Sequence, residues 1–128
     1  MPQKMEIVYI SQMVRDQDKA VDYYTRVLGF EKRVDSPNPG AVRFVTVAPQ
    51  GQSFQLVLWP GKPGTPEPAY GRVPATVTLE TPDCKKAYEE LKARGVAFET
   101  EVLEFPWGWV AIFQDPDGNR LQIRQGRN

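Results

Sequence analysis

Apolar and polar positions along the chain follow two periods. Segments such as EIVYISQMV (residues 6–14) and ATVTLET (75–81) alternate with period two, the mark of half-buried strands. After Asp16, the residues Ala20, Tyr24, Val27 and Leu28 share one face at helical spacing. After Asp83, the residues Cys84, Ala87, Tyr88 and Leu91 do the same. Each aspartate stands where an N-cap belongs, with a side-chain oxygen for the free N–H groups of a first helical turn. Gly29 and Gly95 follow as helix-stop residues. Three more strands are predicted behind each helix: FEKRVD, AVRFVTVAP and SFQLVLW in the first half, AFETEVLE, WVAIFQD and RLQIRQ in the second. The pattern reads βαβββ, twice.

The two copies are related by an offset of 67 residues. Asp16 falls on Asp83, Lys19 on Lys86 and Ala20 on Ala87, and the register slips by one near the helix ends before it recovers. PQGQSFQL (49–56) falls on PDGNRLQI (116–123), so a tight turn and a glutamine between two apolar residues are written twice, at Gln55 and Gln122. We read one domain over residues 1–128, with module one at 5–59, a linker at 60–74 and module two at 75–125. The linker holds five prolines and three glycines, which excludes a regular helix or a central strand. It reads as a connection, with a lid or a dimer contact as the alternative.

Composition narrows the chemistry. The chain of 128 residues has a formal net charge of zero and no basic run, so it lacks the clustered cations that nucleic acid requires. No apolar run reaches membrane-spanning length, and the N-terminal residues show no secretory apolar core. A single cysteine, Cys84, cannot form an internal disulfide, which fits a reducing, cytoplasmic setting. Cys84 is read as a buried structural thiol, because it lies on the apolar helix face and no histidine stands by as a base. Histidine is absent altogether, which excludes His-dependent triads and HExxH zinc sites. The acidic residues Glu99, Glu101 and Glu104 read as a solvated edge strand rather than as paired catalytic carboxylates.

The paired modules, the segment VRDQDKAVDYYTRVLGFE and the terminal DPDGNRLQI resemble the vicinal oxygen chelate superfamily, which includes glyoxalase I, extradiol dioxygenases and bleomycin-resistance proteins. The resemblance covers about residues 5 to 125. It implies an α+β fold in which two tandem βαβββ modules form an incompletely closed eight-stranded barrel, with helices on the convex side and a pocket on the concave side. Metal-dependent members of that superfamily place one ligand from each of four strands in the pocket. The matching positions here are Tyr9, Gln55, Thr76 and Gln122. None of the four is charged at neutral pH. Catalytic divalent ions normally take imidazole and carboxylate ligands. The expectation is therefore a degenerate site with no cofactor and no intrinsic divalent metal.

Strand alternation sets a provisional pocket face. Tyr9 and Ser11 share it, as do Gln55 with Trp59 and Gln122 with Arg124. The opposite face carries Leu56, Leu58, Leu79, Leu121 and Ile123, which suit a sheet–helix core. Trp107 and Trp109 are candidates to stack a flat ligand; the other reading has them capping a barrel end or packing a dimer. Arg124 is a candidate for an anionic group, whereas Arg43 reads as a solvated rim residue. No catalytic residue is assigned. The favoured reading is a glyoxalase/bleomycin-resistance-like protein that binds an aromatic or heteroaromatic small molecule and works as a homodimer. The alternative is an enzyme: a metal-dependent lyase or dioxygenase with unorthodox ligands, or a metal-independent catalyst using Tyr9 as acid/base.

Overall fold

The computed structural model describes residues 4–36, 42–65, 67–69 and 75–127. The chain divides into two compact units, Tyr9–Pro74 on one side and Met1–Val8 with Ala75–Asn128 on the other. In chain order the first copy of the repeat runs β1 (Glu6–Val14), α1 (Gln17–Asp22), a π-helical turn (Tyr23–Val27), β2 (Glu31–Ser36), β3 (Phe44–Ala48) and β4 (Gln55–Pro60). The second runs β5 (Val77–Glu80), α2 (Cys84–Ala93), β6 (Ala97–Phe98), β7 (Leu103–Phe105), β8 (Gly108–Gln114) and β9 (Arg120–Gly126). The strands lie in the order β2-β3-β4-β1 in one copy and β6-β8-β9-β5 in the other, with β7 also paired to β8. In each copy the first and last strands pair in parallel and the remaining neighbours are antiparallel. The fold is α+β and the βαβββ module is repeated, as the sequence pattern predicts. Among the described residues no helix is long and apolar enough to cross a membrane.

The strand count is nine rather than the expected eight, because AFETEVLE breaks into β6 and β7. The Ile112 carbonyl accepts from both Glu99 N and Thr100 N, and the Ile112 N–H is taken at 3.0 Å by the Thr100 hydroxyl. A side chain thus replaces a main-chain rung, and the ladder cannot run through.

Both N-caps form as predicted. Asp16 accepts from Lys19 N at 3.0 Å and Asp83 from Lys86 N at 3.1 Å. The α2 face carries Cys84, Ala87 and Tyr88 into a core with Ala111 and Ile123, against which Leu91 packs. The first helix departs from expectation. Ala20 and Tyr24 pack on the Val45–Val47–Leu58 core, but Val27 and Leu28 are 58% and 46% exposed. The cause is the π-helical turn: Leu28 N bonds back five residues to Tyr23 O at 3.2 Å. The wider turn rotates the later side chains away from the face that 3.6-residue spacing predicts.

The repeated turns share a backbone form and differ in what holds them. Gly51 and Gly118 take φ of 83° and 84°, a conformation costly for any residue with a Cβ. The second turn closes locally: Asp115 accepts from Asp117 N and Asn119 N, each at 2.9 Å, and from the Asn119 amide. The first is held from a distance. Arg33 donates to Gln52 O at 3.0 Å and to Pro49 O at 3.1 Å. Arg33 sits at a β-bulge, where the β2–β3 register shifts between Lys32 and Val34. Arg43 is committed to structure: it pairs with Asp35 and Asp18, and it holds the Asp35 carboxyl well below the usual carboxylate range. The described part of the linker folds back on the end of β4, with Gly61 bridged to Pro68 and Ala69 N donating to Pro60 O at 2.7 Å.

Two outcomes are expected. Replacing Arg33 by Ala removes two charge-assisted bonds to main-chain carbonyls and should lower stability in urea by about 1–2 kcal/mol, with the denaturant slope unchanged. The second concerns Cys84, which is fully buried, with a thiol pushed up to about 11 by burial first and then by Asp83 and Glu80. Unfolded, the thiol ionises near 9, so above that pH the unfolded chain binds fewer protons than the folded one. Stability should be unaffected below pH 9 and fall as pH rises toward 11, by up to about 2 kcal/mol, a loss missing from Cys84→Ala. An alkaline loss of the same size in both proteins would refute this.

Candidate functional site

In the unit Tyr9–Pro74, one sheet face collects four of the residues singled out from sequence. Tyr9 lies opposite Gln55, Ser11 opposite Val57 and Met13 opposite Trp59 across the parallel β1–β4 ladder. The other face of β4 sends Leu56 and Leu58 to the helix-side core. Alternation therefore commits Gln55, Val57 and Trp59 to the face away from α1. The Tyr9 and Phe44 rings meet edge to face, with centroids 5.6 Å apart and planes at 84°. Trp59 is half-buried, and its indole N–H is buried without a hydrogen-bond partner among the described residues.

Gln55 is held by a residue that sequence reasoning missed. Thr46, fully buried on β3, donates its hydroxyl to Gln55 Oε1 at 2.6 Å and accepts from Val34 N at 3.1 Å. The main signal available beforehand was that Thr46 alternates with Val45 and Val47, which face the core. It therefore had to face the glutamine side. Gln17 was missed as well: its amide donates to Arg43 O and Leu58 O, both at 2.9 Å, and so fastens the start of α1 to β4.

The second unit repeats the theme with a different register. Gln122 lies opposite Thr78 in the parallel β5–β9 ladder, and its Nε2 donates to the Thr78 hydroxyl at 2.9 Å. The ladder counterpart of Tyr9 is thus Thr78. Thr76 sits two residues earlier, exposed, in a bend ahead of β5. The 67-residue offset holds for the helices and the turns but not for these two strands, because the chain from the ladder position to the N-cap, Tyr9 to Asp16 in the first copy and Thr78 to Asp83 in the second, is two residues shorter in the second copy.

Arg124 lies on the Gln122 face, but it is engaged. It pairs with Glu80 at 2.7 Å and lies over the Trp107 ring at 4.8 Å. Trp107 is 44% exposed and stacks on Phe105 with centroids 5.3 Å apart. Trp109 points the other way. It alternates with Val110, packs against the Cys84–Ala111–Ile123 core and lies under the Arg127 guanidinium. Trp109 and Gln122 therefore occupy opposite faces of their sheet, and the two tryptophans cannot form one wall. A cleft of about 320 Å³ in this unit is lined by residues including Lys4, Glu6, Glu80 and Gln125. Lys4 pairs with Glu6, and Gln125 caps the Cys84 N–H at 2.8 Å. Glu99 and Glu104 are partnered by Arg120 and Arg127.

The donor set does not fit a catalytic divalent ion. Each glutamine offers a neutral amide already bonded to a threonine, and no group of three His, Cys, Asp or Glu side chains converges among the described residues. Stripping water from a dication with no anionic ligand is unfavourable.

Comparison with known proteins places this geometry in context. The chain is 37% identical to the uncharacterized protein YurT of Bacillus subtilis (strain 168), over 94% of this chain and 99% of that one. Its fold matches a methylmalonyl-CoA epimerase from Mycobacterium tuberculosis with a TM-score of 0.73 at 17% identity, covering 95% of this chain and 88% of the other. TnmS3, an antibiotic binding protein from Streptomyces sp. CB03234, is 34% identical, covering 95% of this chain and 96% of that one, with a TM-score of 0.42. A family model matches residues 6–123, nearly the full length of both βαβββ copies, and the chain belongs to the Glyoxalase/Bleomycin resistance protein/Dioxygenase superfamily.

Proposed function

We propose that this chain is a small-molecule binding protein of the glyoxalase/bleomycin-resistance type, without an intrinsic metal, that takes up an aromatic or heteroaromatic compound and does not convert it. The observation that carries this reading is the state of the two glutamines. Each stands where metal-dependent members of the superfamily place a ligand, and each is bonded to a threonine hydroxyl instead of to charged partners. An amide held in this manner orients a polar ligand group; it supplies neither a base nor a charge near neutral pH. Tyr9, Val57 and Trp59 beside Gln55 supply apolar contact of the kind that small-molecule sites use. A second copy of the chain is part of the proposal, supported by the exposed Tyr23, Val27 and Leu28 along the first helix and its π-helical turn. The setting proposed is the cytoplasm, in keeping with a lone free thiol.

A thermal-shift screen of planar aromatic and heteroaromatic compounds tests the reading, since a ligand that binds only the folded chain raises its apparent stability. Hits are expected, and Gln122→Leu should weaken those that use the amide by roughly 1–3 kcal/mol while the fold is retained. Elemental analysis of purified, untagged protein should find no stoichiometric zinc, nickel, manganese or iron. A stoichiometric metal lost on the double change Gln55→Ala, Gln122→Ala would overturn the proposal. Light scattering at tens of micromolar should give a dimer mass, and a monomer mass would remove the second copy from it.

A further inference from the structure

We infer that Thr46 is a positioning residue that locks the Gln55 amide with its NH₂ group presented to the sheet face, so that the compound bound there carries a carbonyl-type oxygen acceptor. This rests on the binding function proposed above and names the chemistry of its ligand.

The argument begins with the main chain. The bulge at Arg33 shifts the β2–β3 register, and the Val34 N–H finds the Thr46 hydroxyl oxygen at 3.1 Å. Thr46 is fully buried, so its own proton also needs an acceptor. Gln55 Oε1, at 2.6 Å, is its acceptor among the described residues. Rotating the amide by half a turn would set an NH₂ against that proton and leave the hydroxyl hydrogen unpaired in the interior. The polarity of Gln55 is thus decided by a chain of donors that starts at a backbone N–H. One acceptor site of its carbonyl oxygen is taken by Thr46, which fixes the amide orientation, and Nε2 has no partner among the described residues.

The same face also carries the Trp59 indole, whose N–H is buried without a partner among the described residues and is not presented at the surface. No carboxylate and no cation stands among Tyr9, Ser11, Met13, Gln55, Val57 and Trp59. The Gln55 Nε2 donor, beside apolar surface and the adaptable hydroxyls of Tyr9 and Ser11, favours a neutral oxygen acceptor over a cation. Gln122 is set the opposite way in its own unit, since its Nε2 is spent on Thr78. The property therefore belongs to the Thr46–Gln55 pair and is not shared by both glutamines of the repeat.

A matched pair of probes tests it: 9-fluorenone, planar with one ketone, and fluorene, nearly the same shape without an acceptor. Affinities are read by tryptophan fluorescence quenching and calorimetry. The parent should bind fluorenone about tenfold more tightly than fluorene, the scale of one buried hydrogen bond. Gln55→Leu should abolish the preference, so that the two probes bind within about twofold of each other, and Thr46→Ser should retain it. Thr46→Val, which frees the amide to rotate, should reduce it below threefold. A purely structural role for Thr46 would weaken both probes together and leave their ratio unchanged. Equal affinities in the parent, or a tenfold preference that survives in Gln55→Leu, would overturn the polarity assignment and leave the binding function standing. Failure of both probes to bind the parent would overturn both.

Discussion

A main-chain N–H that leaves its ladder inside a folded protein must find another acceptor, and in this chain threonine hydroxyls supply it. Val34 turns to Thr46 where β2 bulges, and Ile112 turns to Thr100 where the second-copy edge strand breaks. Each hydroxyl has one proton of its own to place. At Thr46 the proton goes to Gln55, so an irregularity in an edge strand is passed two strands inward to a side chain on the candidate site. The site is in this sense an outcome of backbone accounting. Its central amide is oriented by the need to leave no buried donor or acceptor unmet.

That origin bears on the chemistry available. The resemblance places metal ligands on the corresponding strands of metal-dependent members of the superfamily. Here the strands deliver amides, hydroxyls and aromatic rings, and within each unit charged residues pair with one another: Glu80 with Arg124 and Glu99 with Arg120 in one, Arg43 with Asp35 in the other. On the binding function proposed above, such a surface would discriminate by hydrogen-bond polarity and shape rather than by charge. The superfamily assignment is compatible with neutral side chains on these strands, because a fold fixes where strands present their side chains and leaves open which side chains they are.

Much of the architecture was legible in the residue pattern because it follows from local rules. Both aspartate N-caps, the apolar face of α2 and the two glycine turns depend on neighbours within a few residues, and all are present. What the pattern hid depends on registers and periods that change without a local signal. The π-helical turn exposes Val27 and Leu28 although their spacing fits a 3.6-residue helix. Counting by the 67-residue offset puts Thr76 opposite Gln122, yet the ladder puts Thr78 there, since a two-residue shortening before the N-cap is invisible to a single offset. Trp107 and Trp109 looked like a pair in sequence, but alternation about Val110 sends Trp109 into the α2 core. Gln55 and Trp59 were legible as neighbours on one face. Their anchor, Thr46, was not, because its role rests on a bulge in another strand.

The two turns that carry the glutamines also differ in how far the chain must travel to close them. The DPDGN turn is tied by contacts two to four residues apart, through Asp115. The PQGQ turn is tied by Arg33, 16 and 19 residues upstream. Closing a longer loop costs more chain entropy before any bond is made. The β8–β9 turn is therefore closed by contacts within its own sequence, whereas the β3–β4 turn has its clasp only where β2 is in place. Two copies of one module thus rest on contacts of unequal range: the second turn is closed locally, and the first, in the copy that holds the Thr46–Gln55 lock, depends on contacts of longer range.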